Sequence, residues 1–380
     1  MMIPENEEEL AALVAGAKGP LRVVGGGTRP IGRPVTGETL SVSGLTGVQL
    51  YEPGALTLVV RAGTPVSEVE AVLAAEGQRL PFEPMDHRVL LGTGGKPTIG
   101  GVVAGNVSGP RRIQVGACRD FLLGVRFVSG EGKIIKSGGR VMKNVTGYDL
   151  VKLMAGSWGT LGILTEVSFK VLAMPQAEAT LIRRGQEARD AVASLSAALG
   201  SPYDVSGAAH VAAGVMEDDS LTLIRVEGMA ESVRYRAGRL GEGWEIVEGE
   251  QSAALWRRLR DVEPFAARPG AVWRVSVKPT DGPVLAENLR AGGLEHAAIH
   301  DWGGGLVWLL VEEEGDAGAA LIRRQTTALG GHATLVRGSE ELRDRVPVFE
   351  PLSAPLAQLS RGLKQQFDPR GILNPGLMGE

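Results

Sequence analysis

Residues Leu21–Pro30 read LRVVGGGTRP: a short strand-forming run, three glycines, a threonine, and a proline two residues on. Glycines directly after a strand let the backbone pass close to another group, and successive exposed amides in such a turn favour an anion, a phosphate first of all. A glycine-rich hairpin turn without a ligand has the same signature. The Rossmann fingerprint G-x-G-x-x-G does not fit. Counted from Gly25, its sixth position is Pro30, which lacks the N–H that a helix interior needs.

Working outward, glycine is the compositional outlier, with 54 of 380 residues. Between Gly92 and Gly162 its clusters alternate with short apolar strands such as LLGVRFV and GKIIKSG. The pattern suggests backbone wrapped repeatedly around an extended ligand, with side chains removed where it approaches. After about Ala173 the texture changes. Strand-like runs (EATLIRR, LTLIRVEG, VWRVSVK, LVWLLVE) alternate with amphipathic helical ones (QEARDAVASLSAALG, MAESVRYRAGRLG, AALIRRQTTALGG), which predicts an α+β domain with an antiparallel sheet. MPQAE, Met174 to Glu178, reads as the hinge. The expected division is therefore 1–173, 174–340 and 341–380, the last holding one amphipathic helix and a Pro/Gly-punctuated tail.

Composition narrows the function classes. At 380 residues the chain is long enough for sizeable cores. A net charge of −4 and 4% aromatics leave no basic stripe or stacking platform for nucleic acid. No apolar run approaches the roughly 20 residues that span a bilayer. The acidic opening MMIPENEEELAALVAG is unlike a signal peptide, so the expected location is cytoplasmic, with any membrane contact supplied by partners. One cysteine, Cys118, allows no internal disulfide and no iron–sulfur cluster of the chain's own.

Five ordered blocks carry a resemblance: GGGT after a strand, PTIGGVVAGNVSG, GACRDFLLGVRFVSGEGKI, NVTGYDLVKLMAGSWGTLGILTEVSFKV and the terminal FDPRGILNPG. Together they resemble the vanillyl-alcohol-oxidase, or PCMH-type, FAD-binding family. The resemblance implies a two-subdomain FAD domain, an α+β cap and a C-terminal tail returning to the FAD domain. It assigns the diphosphate to Gly25, Gly26, Gly27 and Thr28. It assigns a second pyrophosphate loop to Thr98, Ile99, Gly100 and Gly101, with Gly105, Ser108 and Gly109 continuing along the flavin. Gly162, Ile163 and Leu164 would face adenine and ribose, and Asn374 would approach the isoalloxazine.

Two departures from the family pattern shape the functional expectation. Covalent members attach flavin through a histidine in the first loop or a cysteine in the second, but here stand Thr28 and the cysteine-free GNVSGPRR, so the flavin is expected to be non-covalent. His87, in PMDHRV, reads as a solvated loop histidine. The second departure is DWGGGLVW, Asp301 to Trp308, where catalytic hydroxyacid dehydrogenases of the family carry a metal- or substrate-holding H-A-G-D-G-N-L-H. An indole offers no lone pair to a metal, so no metal site is expected there, nor at nearby His296 and His300. Arg260, in LWRRLRDVEPF, matches a family arginine that pairs a 2-hydroxyacid carboxylate, although an arginine-rich helix also accounts for it as a solvated face. No histidine is placed as an obvious base. The resemblance thus implies a flavoprotein subunit of a glycolate-oxidising complex, acting on a small 2-hydroxyacid beside a sister flavoprotein and an iron–sulfur subunit. A self-sufficient D-2-hydroxyacid dehydrogenase and a structural subunit with a vestigial flavin site are the alternatives.

Overall fold

The computed structural model describes residues 1–139 and 148–379; the NVTG of the fourth block, Asn144–Gly147, lies outside the described residues. The chain opens with the helix Glu7–Gly16. Asn6 caps it by accepting from the Glu9 N–H at 2.8 Å, and three glutamates in its first turn suit the helix dipole. Its Leu10 and Val14 pack with Leu21, Leu40, Ile163 and Leu373 into a small core. Above that core the strand Leu21–Val24 pairs in parallel with Glu38–Ser41.

The C-terminal tail does return to this strand. The Leu21 N–H donates to the Ile372 carbonyl at 2.7 Å, and the Asn374 N–H donates to the Leu21 carbonyl at 3.0 Å. FDPRGILNPG works as a strap. Buried Asp368 accepts the N–H groups of Ile372 and Leu373, while Arg370 reaches the carbonyls of Ala15, Ala17 and Gly130.

A five-stranded antiparallel sheet follows, in the spatial order Val48–Glu52, Thr57–Arg61, Ile163–Lys170, Leu122–Val128, Ile134–Gly138. The rest is dominated by an eight-stranded antiparallel sheet. Its order is Glu245–Glu248, Ala177–Arg184, Leu221–Gly228, Val205–Val211, Ala297–Asp301, Leu306–Val311, Ala271–Ser276, His332–Arg337. Val205–Val211 and Leu306–Val311 are buried along their whole length, as strands covered on both faces must be; Leu306–Val311 accordingly reads as a continuous apolar run, whereas Val205–Val211 carries Ser206 and His210 inside. The α+β architecture with antiparallel sheets and a returning tail is thus the one the sequence predicts.

The two sheets meet over a buried ionic seam. Glu227, on the large sheet, receives Arg111 at 2.9 Å and 3.0 Å and Arg79 at 2.6 Å, both from the first half of the chain. Arg225 answers in the other direction, holding Glu83 through two 3.0 Å bonds and lying 4.6 Å above the Trp256 ring. Burial by itself would raise the Glu83 carboxyl, but Arg225 and then Arg111 overcome it and hold it at about 2.

Sequence reading missed one helix. Glu340–Arg345, capped by Ser339 Oγ on the Leu342 N–H, precedes the expected helix Ala354–Phe367. The latter buries none of its residues and exposes Leu356, Leu359 and Leu363.

Candidate functional site

Gly25 to Thr28 leave the end of the first strand and form the floor of a cleft of about 410 Å³. The three glycines are there for different reasons. A Cβ on Gly25 would lie 2.3 Å from Thr98 Oγ1, and one on Gly26 would lie 1.7 Å from the Lys96 carbonyl oxygen, so both are glycines because the two loops touch. Gly27 alone has a left-handed backbone, φ +71°, with open space around it. Among the described residues, no hydrogen bond engages the N–H groups of Gly26, Gly27 or Thr28. These are the unengaged donors that an oxyanion at this loop requires.

The second loop is built differently. The Ile99 N–H donates to the Thr64 carbonyl and the Gly100 N–H to that of Ala62, at 2.9 and 2.8 Å. The Gly101 N–H caps back onto Thr98 Oγ1 at 3.3 Å. Thr98, Gly100 and Gly101 line the cleft, but Ile99 is fully buried in the core. This loop presses its backbone against its own subdomain and presents few free donors.

Gly162, Ile163 and Leu164 form the opposite wall, and Asn374 closes the end. The Asn374 carboxamide is engaged by the backbone: Oδ1 accepts the Val23 N–H at 2.7 Å, and Nδ2 donates to the Trp158 carbonyl at 2.9 Å. Its place in the cleft is that of a strut joining tail to loop.

Four other expected residues lie off the cleft. Gly105 packs toward Trp158, and Ser108 Oγ accepts the Cys118 N–H at 2.9 Å. Gly109 donates to the Phe82 carbonyl, and Glu83 approaches it too closely for a side chain. Arg260 bonds the Asp261 carboxylate through Nε and Nη2, both at 2.8 Å.

Sequence reading passed over Arg29. It lines the cleft directly after the glycine loop, donating from Nη1 to the Gly101 carbonyl at 2.7 Å and from Nε to His87 Nδ1 at 3.1 Å. Among the described residues it has no carboxylate within ion-pair distance, and burial pulls its pKa down to about 10. The available signal was an arginine directly after GGGT. His87 is likewise not solvated. It is 7% exposed, and burial and then Arg29 hold it well below the ordinary histidine pKa.

An anion with an extended apolar remainder fits this cleft: donor amides and a guanidinium at the floor, apolar walls above. A family model described as an FAD binding domain matches residues 1–138. Over 364 residues the chain is 40% identical to the glycolate oxidase subunit GlcE of Escherichia coli (strain K12), covering 95% of this chain and 93% of that protein. The chain belongs to the GlcE family of glycolate oxidase subunits. FAD is the cofactor of this GlcE-family chain, and the family is one of flavin-dependent oxidoreductases assembled from more than one subunit.

The glycolate oxidase subunit GlcD of Bacillus subtilis (strain 168) is 31% identical over 176 residues, 46% of this chain and 34% of that one. Among solved structures, 4-ethylphenol oxidase from Gulosibacter chungangensis in its isoeugenol complex superposes with a TM-score of 0.70 at 14% identity. That match covers 99% of this chain and 88% of that one, and it concerns the fold.

The GlcE-family chain offers no attachment point at the flavin loops. Thr28 stands in the first, and Cys118 is fully buried with its thiol pKa driven up by burial. In the cap, Asp301 is buried at the end of the strand Ala297–Asp301 and Trp308 within the neighbouring Leu306–Val311, and His300 is buried against His210, their rings 5.8 Å apart. Among the described residues no three His, Cys, Asp or Glu side chains gather as metal ligands, and no helix is long and apolar enough to cross a membrane.

Proposed function

We propose that this chain holds FAD non-covalently in the cleft above Gly25–Arg29 and serves as one flavoprotein of an assembly oxidising glycolate to glyoxylate. Its partners in this reading are a sister flavoprotein and an iron–sulfur subunit. The carrying observation is the first loop: three unengaged amides beside a guanidinium that has no carboxylate partner. Bound there, FAD would supply a two-electron acceptor for the hydroxyacid's C–H bond. Gly26, Gly27 and Thr28 would hold the diphosphate through N–H groups, and Arg29 would add the one fixed positive charge. Asn374 would keep the loop at its strand end. Leu356, Leu359 and Leu363, exposed in a row on one helix, support a chain that is one part of a larger assembly.

Acid precipitation of the purified chain should leave a yellow supernatant, and flavin in the pellet would refute non-covalent binding. Arg29→Gln should weaken FAD binding at least tenfold at unchanged melting temperature, an effect on the order of 1.4 kcal/mol. Gly100→Ala, whose Cβ would meet Ala62 at 2.6 Å, should instead lower stability while the folded fraction keeps FAD. Glycolate turnover with an artificial acceptor should require the sister flavoprotein. Rapid turnover by this chain alone would favour a self-sufficient dehydrogenase.

A further inference from the structure

Where the large sheet faces the FAD domain, the strand Ala297–Asp301 turns into Leu306–Val311 through Trp302, Gly303 and Gly304, all with positive φ. Trp302 is a non-glycine residue in the left-handed region, a conformation that persists only where surrounding contacts enforce it. Those contacts are visible. Its N–H is bound by the Asp301 carboxylate at 2.7 Å, and its indole Nε1 reaches across to the Gly109 carbonyl at 3.1 Å.

Two arginines converge on the indole thus fixed. Arg112, from the FAD domain, places its Cζ 4.6 Å from the ring centroid, and Arg274, from the strand Ala271–Ser276, places its Cζ at 5.2 Å. Among the described residues neither guanidinium makes an ion pair or a hydrogen bond. Both are half-buried. Burial and then Arg112 press down the charge of Arg274, while burial and then Arg119 press down that of Arg112. The acids that bear on them are Asp301 for Arg274 and Asp120 for Arg112, and neither is bonded to the guanidinium it faces; burial pushes Asp301 up to about 7, so it compensates Arg274 only in part. Two guanidiniums held against one indole with no carboxylate bonded to either among the described residues, beside a seam in which Arg79, Arg111 and Arg225 are each paired, make a site for an anion.

We propose that Arg112 and Arg274, stacked on Trp302, bind the carboxylate of a small organic acid without a metal ion. The proposal rests on the reading of this chain as a glycolate oxidase flavoprotein and names the substrate contact on its side. Planar guanidinium forks match a carboxylate through paired N–H donors. Asp301 and Trp308 together offer too few lone pairs to hold a metal here, so the fixed positive charge comes from side chains. Trp302 holds the two forks in place and excludes water from one side of them.

The test uses full-length, FAD-loaded chain and oxalate as the probe, followed by calorimetry and by quenching of tryptophan fluorescence. Saturable one-to-one binding, unchanged by EDTA, is expected. It should weaken at least tenfold in Arg274→Gln and Arg112→Gln, recover in part in Arg274→Lys, and persist in Arg257→Gln, a surface arginine. Trp302→Phe should abolish the quenching component. No saturable binding by FAD-loaded wild type, binding undiminished in the double Gln variant, or binding abolished by EDTA would each overturn the site while leaving the flavoprotein reading standing. A chain that takes up no FAD would sink that reading, and oxalate binding followed through Trp302 would still decide the site.

Discussion

Arg111 and Arg112 are adjacent in GPRRI and indistinguishable by composition, yet the fold gives them opposite circumstances. Arg111 is buried in the seam, its Nε and Nη2 bonding the Glu227 carboxylate and Nη2 also reaching Glu83 at 3.4 Å. Arg112, one residue on, begins the short helix Arg112–Val115 and stacks on Trp302 with no carboxylate bonded to it among the described residues. The same division holds for Arg225 and Arg274 on the large sheet. Arg225 is bidentate to Glu83, and Arg274 is unpaired. Of these four arginines, two belong to a neutralised network between the two halves of the chain and two are left without a bonded carboxylate beside it. Only the partner's position tells which.

The largest expected effect lies in the seam. Arg111→Leu leaves Glu227 and Glu83 buried with too little counter-charge, and breaking a buried pair from one side costs about 3–5 kcal/mol. Urea denaturation should show the midpoint falling accordingly. A change under about 1 kcal/mol would mean that water enters the seam and that the contrast with Arg112 is one of degree.

Acid should act on the same network. Glu83 titrates at about 2 in the folded chain, and Glu227 also lies well below the ordinary range, because burial is overcome by Arg225 and Arg111. An unfolded glutamate titrates near 4.3, so the contribution is fully present above that value and is lost as pH falls from there toward about 2. On the order of 3 kcal/mol should disappear across that window for Glu83 alone. The loss should be flatter in Glu83→Gln.

The elements of the large sheet were legible because their residues alternate or run apolar at strand length, and the helices between them carry a 3.6-residue stripe. LTLIRVEG is the strand Leu221–Gly228 and QEARDAVASLSAALG contains the helix Ala188–Leu199. The first glycine loop was legible as a place of close backbone approach. What the glycines approach was not. Gly26 faces the Lys96 carbonyl, and Gly100 faces Ala62, contacts set by chain segments far apart in sequence. The charged groups were least legible. The isolation of Arg29, and the pairing of Arg111 with Glu227 across 116 residues, appear only once every carboxylate has a position. Pairing is a long-range property, and a motif records residue types without it.

Asp301 sharpens the comparison from the acidic side. Burial lifts its carboxyl to about 7, the opposite direction from Glu83, because no arginine is bonded to it. The folded chain keeps this proton up to about pH 7, whereas an unfolded aspartate releases it near 3.9, so the group lowers stability as pH rises between those values. Asp301→Asn keeps an oxygen for the Trp302 N–H and cannot ionise. It should be more stable than wild type by on the order of 4 kcal/mol at pH 8 and nearly equal to it at pH 4. Equal stability at both values would mean that Arg274 pairs with Asp301 in solution.

The smallest effect, and the one that separates the two kinds of arginine most cleanly, is that of Arg112→Gln on stability. Removing this side chain forfeits a cation–π contact worth roughly 0.5–2 kcal/mol. It also relieves Arg274, whose guanidinium burial and then Arg112 press down to about 10. The two terms oppose each other, so the melting temperature should move by no more than about 2 °C in either direction, against a large fall for Arg111→Leu. Salt gives the finer reading. Added sulfate should stabilise wild type more than Arg112→Gln, because an anion that settles between two unpaired guanidiniums has less to gain from one. If Arg112→Gln destabilises the chain as much as Arg111→Leu does, Arg112 is a structural cation like its neighbour, and the distinction between a paired seam and an unpaired site fails.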